Sequence, residues 1–199
     1  MSETNHLLVK PFRDSIIENG FTWFDDGKPY KLNILGIRNL HQKLDRFNDL
    51  MIVAARGNDG LWFLKMYDIT TLPGKKETLL PSNPKGVAIL VPGQYTSWMI
   101  GKHKGKYPAL TQHLGEVSVY RDSNRDMNFD YDPETIDKGY FGINIHKAKD
   151  ETDVIGGWSA GCQVFKYASD FNEFMQLCEK SKDLYGNKFT YTLLTSKML

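Results

Sequence analysis

Cysteine is scarce in this chain: Cys162 and Cys178 are the two among 199 residues. That excludes the disulfide framework of a small secreted domain. Charge of one sign is also lacking. Twenty-five basic residues face 24 acidic ones, for a net charge of +1. Neither a basic field for nucleic acid nor an acidic solvating tail is present. There is no apolar run long enough to span a bilayer. Residues Met1 to Lys10 have no basic start followed by an apolar stretch, so no secretory signal is read there. We therefore expect a protein made in the cytoplasm, with no membrane span and no nucleic-acid partner. Repeats, low-complexity tracts and linkers are missing too. What is present is 41% hydrophobic and 13% aromatic residues, enough for one domain with its own core. We take residues 1–199 as that domain, with 1–30 set apart as an N-terminal extension, and expect a monomer.

Hydrophobic periodicity predicts a mostly β protein with one C-terminal helix. Asp14 to Asn19 reads as a short helix ended by Gly20. Lys31 to Asn39 alternates as a strand. Asp49 to Arg56 and Leu61 to Asp68 flank Gly57-Asn58-Asp59-Gly60, a hairpin signal. Thr70 to Lys85 reads as loop. Val87 to Val91, Tyr95 to Ile100, Glu116 to Tyr120, Tyr140 to His146 and Phe189 to Thr195 read as further strands, with a turn at Pro92-Gly93. Ser169 suits a helix N-cap. Phe171, Phe174, Met175 and Cys178 follow at i, i+3, i+4 and i+7, and Gly186 suits the residue just past the end.

The chemistry concentrates in two segments, Gly142-Ile143-Asn144-Ile145-His146 and Trp158-Ser159-Ala160-Gly161-Cys162. A thiol set among small residues stays reachable, and an upstream imidazole can take its proton. Thiolate is the nucleophilic form, and a neighbouring His is the usual means of making it near neutral pH. Asp150 to Gly157 is polar and fits a loop that returns the thiol beside the His. Gly161 permits close backbone approach. Amide N–H groups near Gly161 and Cys162 can face an oxyanion, and Ser159 can hydrogen-bond within the turn.

These residues resemble the signature of the L,D-transpeptidase catalytic domain, most closely over about 140–165. In that family a strand-terminal His is followed by Ser-His-Gly-Cys or Ser-Thr-Gly-Cys. The resemblance implies a β-sandwich of mixed sheets with the Cys in a cleft. It implies attack by Cys162 on peptidoglycan stem peptides through a thioester, with His146 as base. The carbonyl of Lys147 would orient the imidazole, and Ser159 and Gly161 would shape the oxyanion turn. Two departures stand out. Ala160 replaces the second His or Thr, and Gln163-Val164 follows the Cys where the family has an apolar residue and then Arg or Asn. Asn144, Gln163, Arg121 or Lys102 can replace that group toward an anionic substrate. Trp158 either lines the cleft or joins the core. The variant pattern resembles a divergent branch carried by bacteriophages. That implies an endolysin-like enzyme, released at lysis or carried in a virion, with peptidoglycan hydrolysis and transpeptidation both open. The rival from another class is a catalytically silent wall-binding or virion structural module of the same fold.

No cofactor is required by this chemistry. One weak metal signal exists. Asp122, Asn124, Asp126, Asn128 and Asp130 alternate as calcium-loop ligands do, but Met127 replaces the usual Gly and Pro133 the last ligand. An Asp/Asn-rich surface turn explains the run equally. Lys102-His103-Lys104-Gly105-Lys106 reads as a basic hairpin tip. His103, His113 and His146 lack any zinc-site spacing. Cys178 reads as a core residue on the helix stripe.

Overall fold

A computed structural model describes residues 2–41, 44–126, 128–149 and 152–199. Met127 of the acidic run and Asp150 of the loop before the thiol lie outside these residues. The order is α1 (Ser2–Glu18), β1 (Asn33–Arg38), β2 (Asp49–Arg56), β3 (Trp62–Thr70), α2 (Lys75–Leu79), β4 (Val87–Leu90), β5 (Gly93–His103), β6 (Tyr107–Gln112), β7 (Val117–Asp122), β8 (Asp137–Gly139), β9 (Ile145–Lys147), β10 (Gln163–Phe165), α3 (Ala168–Tyr185) and β11 (Phe189–Thr195). The fold is mostly β. Eight strands close into a barrel in the order β1-β11-β5-β6-β9-β10-β3-β2, and β4-β7-β8 form a separate sheet. Pairing is mixed, as expected: β1/β11 and β9/β10 are parallel, and the other pairs are antiparallel. The arrangement differs from the two facing layers of a sandwich, because the last strand returns to β1 and removes the edges.

The barrel is filled by Trp98, Tyr191, Phe165, Val53, Leu110 and Ile145, all inaccessible to solvent. On α3 the expected stripe of Phe171, Phe174, Met175 and Cys178 packs onto this cluster. Each such side chain contributes roughly 1.5–3 kcal/mol by leaving water. The helix begins one residue before Ser169, with Tyr167 as its N-cap and no side-chain cap. It ends at Gly186, whose φ of 85° suits a residue without a Cβ.

Three sequence expectations change. The N-terminal helix, 17 residues long, starts twelve residues earlier than Asp14 to Asn19 suggests. It runs through Pro11 and lays Ile16 against Leu35 and Ile37 of β1 and Ile52 of β2, and Val9 against Ala54 of β2 and Trp62 of β3, so that β1 and β2 are buried on both sides. Thr70 to Lys85 contains the short α2. Tyr140 to Asn144 is not strand: Gly142 has a φ of 68°, and the Phe141 and Ile143 N–H groups donate to the Gln112 side chain rather than to a neighbouring strand. No helix among the described residues is long and apolar enough to cross a membrane.

Candidate active site

Cys162 stands at the mouth of β10, and the turn before it is fixed from both sides. Ser159 Oγ accepts from Gly161 N–H at 3.1 Å and donates to the Cys162 carbonyl at 2.9 Å. Gly161 has a φ of 131°, and a Cβ there would run into the Ala88 carbonyl of β4. Only glycine fits both the angle and the contact. Gln163 is fully buried inside the barrel. Its Nε2 donates to Gly161 O at 3.2 Å, and its Oε1 accepts from the Tyr191 hydroxyl at 2.9 Å. It supports the turn from within and is not exposed for substrate, which corrects its sequence assignment.

Parallel pairing then sets the imidazole and the thiol on one face, with no hydrogen bond between them among the described residues. Gln163 is opposite Ile145, and Val164 opposite His146. Since side chains alternate along a strand, the inward set is Gln163, Phe165 and Ile145, and Cys162, Asn144 and His146 share the other face. The sulfur donates to Gly142 O at 3.5 Å, and the Asn144 backbone N–H faces it. Cys162 is half-buried. Burial pushes its thiol up, opposed by the Asn144 N–H and by the charge of Lys104.

His146 is 2% exposed. Its Nδ1 lies 3.0 Å from the Lys147 carbonyl, as the sequence led us to expect. The Tyr107 hydroxyl donates to the same carbonyl at 3.3 Å and lies 3.4 Å from Nδ1. A carbonyl only accepts, so Nδ1 carries the proton and Nε2 keeps its lone pair. That Nε2 is buried without a hydrogen-bond partner among the described residues. Burial, with His103 nearby, pulls the imidazole down to about 3. Burial thus favours the neutral form of both groups, a thiol and an uncharged imidazole.

The other sequence-assigned residues divide. Asn144 belongs to the site: its Oδ1 accepts from Gln112 N–H and its Nδ2 meets His103 Nδ1. Arg121 is farther off and lines a cavity of about 280 Å³ beside the thiol turn, with Ala160, Ala88, Phe141 and Glu77. Its guanidinium donates to Asp137 and the Gly86 carbonyl and lies 4.6 Å from the Phe141 ring centre. Glu77 Oε2 is buried without a hydrogen-bond partner among the described residues. Trp158 is exposed and does not line this cavity. Gly161 N–H is taken by Ser159, so of the amides proposed for an oxyanion, Cys162 N–H is the one left without a partner among the described residues.

A larger hollow of about 500 Å³ lies against Tyr107, Lys147, Phe171 and Met175. His113 bonds Thr111 and stays exposed. In the acidic run, Asn124 Oδ1 and Asp126 Oδ1 accept backbone N–H groups two residues on, and Asn124 Nδ2 donates to Asp130. These are the bonds of a self-capped turn. Sequence reasoning missed the parts played by His103, Tyr107, Gln112, Glu77 and Gly142. The basic hairpin tip and the early Gly142 were the available signals. Comparison with family models, with curated proteins and with solved structures found no match to this chain.

Proposed function

We propose that this chain is a cysteine-dependent acyl-transfer enzyme acting on peptidoglycan stem peptides, with an L,D-transpeptidase-like catalytic arrangement. One observation carries the reading: the lone pair of a buried His146 Nε2, without a hydrogen-bond partner among the described residues, on the face it shares with Cys162, its other nitrogen held by Lys147 O. Peptidoglycan as substrate comes from the resemblance of the Ile145-His146 and Ser159–Cys162 segments, and the cavity supports it with Arg121 and Glu77 for charged groups of a stem peptide.

In the proposed reaction Sγ attacks the peptide carbonyl as His146 Nε2 takes the thiol proton. The C–S bond forms, and the oxyanion is held by Cys162 N–H. The C–N bond then breaks, and His146 returns the proton to the leaving amine. Water or a second amine attacks the thioester and restores the thiol. Water makes the enzyme an endolysin-like hydrolase, acting after release at lysis or from a virion. An amine makes it a transpeptidase.

The silent wall-binding module is favoured by one fact: burial disfavours both charged partners of a thiolate–imidazolium pair. The test is digestion of diaminopimelate-type peptidoglycan by the protein and by Cys162→Ala, with muropeptides read by mass spectrometry. Loss of stem residues or cross-links that depends on Cys162 establishes a hydrolase, and new cross-links establish a transpeptidase. Identical profiles would leave the silent module.

A further inference from the structure

His103 ends β5, and its ring stacks on that of the proposed base. The two imidazole centres are 4.0 Å apart and the planes differ by 21°. Both residues are buried, at 7% and 2% exposure. The protonation of His103 can be read from its partners. Gln112 N–H donates to Asn144 Oδ1 at 3.0 Å, which fixes the orientation of that amide. Asn144 Nδ2 is then the group 3.1 Å from His103 Nδ1. Two donors cannot bond each other, so His103 Nδ1 is the acceptor and its ring is neutral, with the proton on Nε2.

Protonating His103 undoes this in two ways. Nδ1 gains a hydrogen aimed at the Asn144 NH₂, and Asn144 can turn over only by giving up Gln112 N–H. A positive charge also arrives against the ring that must accept the thiol proton. The groups facing His103 are Lys104 beside it, Tyr107 across the hairpin at 5.7 Å, His146, Asn144 and, beyond Asn144, the Cys162 thiol. None of these is a carboxylate that would welcome the charge. Burial and Lys104 accordingly hold the His103 imidazole below its ordinary range.

We propose that His103 is a positioning residue: as a neutral ring locked by Gln112 and Asn144, it holds His146 in place and uncharged, and its protonation switches the thiol off. This rests on Cys162 and His146 being a nucleophile–base pair.

The test is the alkylation rate of Cys162 by iodoacetamide against pH, followed on its own peptide by mass spectrometry. Cys178 is inaccessible and gives an internal blank. Two groups must lose protons, so the logarithm of the wild-type rate should rise with slope two on the acid limb. In His103→Phe the slope should fall to one, and the neutral-pH rate should drop about tenfold, as one hydrogen bond's worth. His103→Asn restores an acceptor for Asn144 without a titrating group. It should recover most of the neutral rate and keep slope one. Slope one in wild type, unchanged in His103→Phe, would overturn the proposal. Should a variant not fold, ¹⁵N NMR of the wild-type imidazoles decides: a proton on His103 Nε2 supports the proposal, and one on Nδ1 overturns it. The arms are separable from the parent reading. Peptidoglycan turnover that needs Cys162, with slope one throughout, removes His103 alone. Slope two without turnover removes the enzyme and keeps the switch.

Discussion

His146 makes stability depend on pH through its buried imidazole. Its imidazole is pulled down to about 3 by burial beside His103, whereas in the unfolded chain it titrates near 6.5. Between those values the unfolded state binds the proton and the folded state does not. Stability therefore rises with pH across this window and is fully present above about pH 6.5. It is lost as the pH falls, by at most about 1.4 kcal/mol per unit for this group. His103 is shifted in the same direction and adds to the slope. Urea midpoints measured between about pH 7 and pH 5 should decline in wild type, and the decline should be shallower in His146→Gln. Equal slopes would mean that His146 is hydrated or charged in the native protein.

Gln112, at the end of β6, shows how one side chain can replace a strand. Its Nε2 donates to Gly115 O at 3.1 Å and Gly139 O at 2.9 Å, and its Oε1 accepts from Phe141 N–H and Ile143 N–H at 3.1 Å each. That is why Tyr140 to Asn144, apolar and strand-like in sequence, follows an irregular path and presents the Gly142 carbonyl to the sulfur. Gln112→Leu keeps the volume and leaves these backbone groups unpaired, at about 1–3 kcal/mol per buried group. We expect a loss of about 3 kcal/mol or more in urea unfolding, and slower alkylation of Cys162 under native conditions. A change in stability alone would separate the segment from the thiol. The contrast with other elements shows what a sequence can display. The β2–β3 hairpin and β11 were legible because a Gly-Asn-Asp-Gly turn and clear apolar runs are local signals. The α3 stripe was legible by its period. That Cys162 and His146 share a face was legible because the strands that carry them follow one another in sequence and pair in parallel. His103, Tyr107 and Gln112 were not, since the β5–β6 hairpin reaches the site only through barrel register. Likewise α1 was under-read, because its pattern is interrupted by Pro11 and polar residues and its apolar contacts lie on distant strands.

Closure of the barrel ties the last strand to the thiol turn. β11 pairs with β1 and β5 and sends Tyr191 across the interior, edge-on to Trp98 at 5.4 Å. The space it needs is left by Gly36, where any Cβ would collide with the Tyr191 hydroxyl. That hydroxyl donates to Gln163 Oε1, and Gln163 Nε2 donates to Gly161 O, one residue before Cys162. Trp98 reaches the same region from the other side through Nε1 to Ile143 O at 2.7 Å. A barrel closed by its own C-terminal strand thus sets the turn from inside, while Ser159 sets it from outside. Tyr191→Phe removes one oxygen and leaves the Gln163 carbonyl unpaired in the core. It should cost about 1–3 kcal/mol by urea unfolding. It should also lower the Cys162 alkylation rate at fixed pH, without altering the acid-limb slope that His103 governs. A loss of stability with an unchanged rate would mean that Ser159 alone holds the turn. A lowered rate would place the geometry of the Cys162 thiol under the control of the barrel core, so substitutions buried inside the barrel would tune a thiol they never touch.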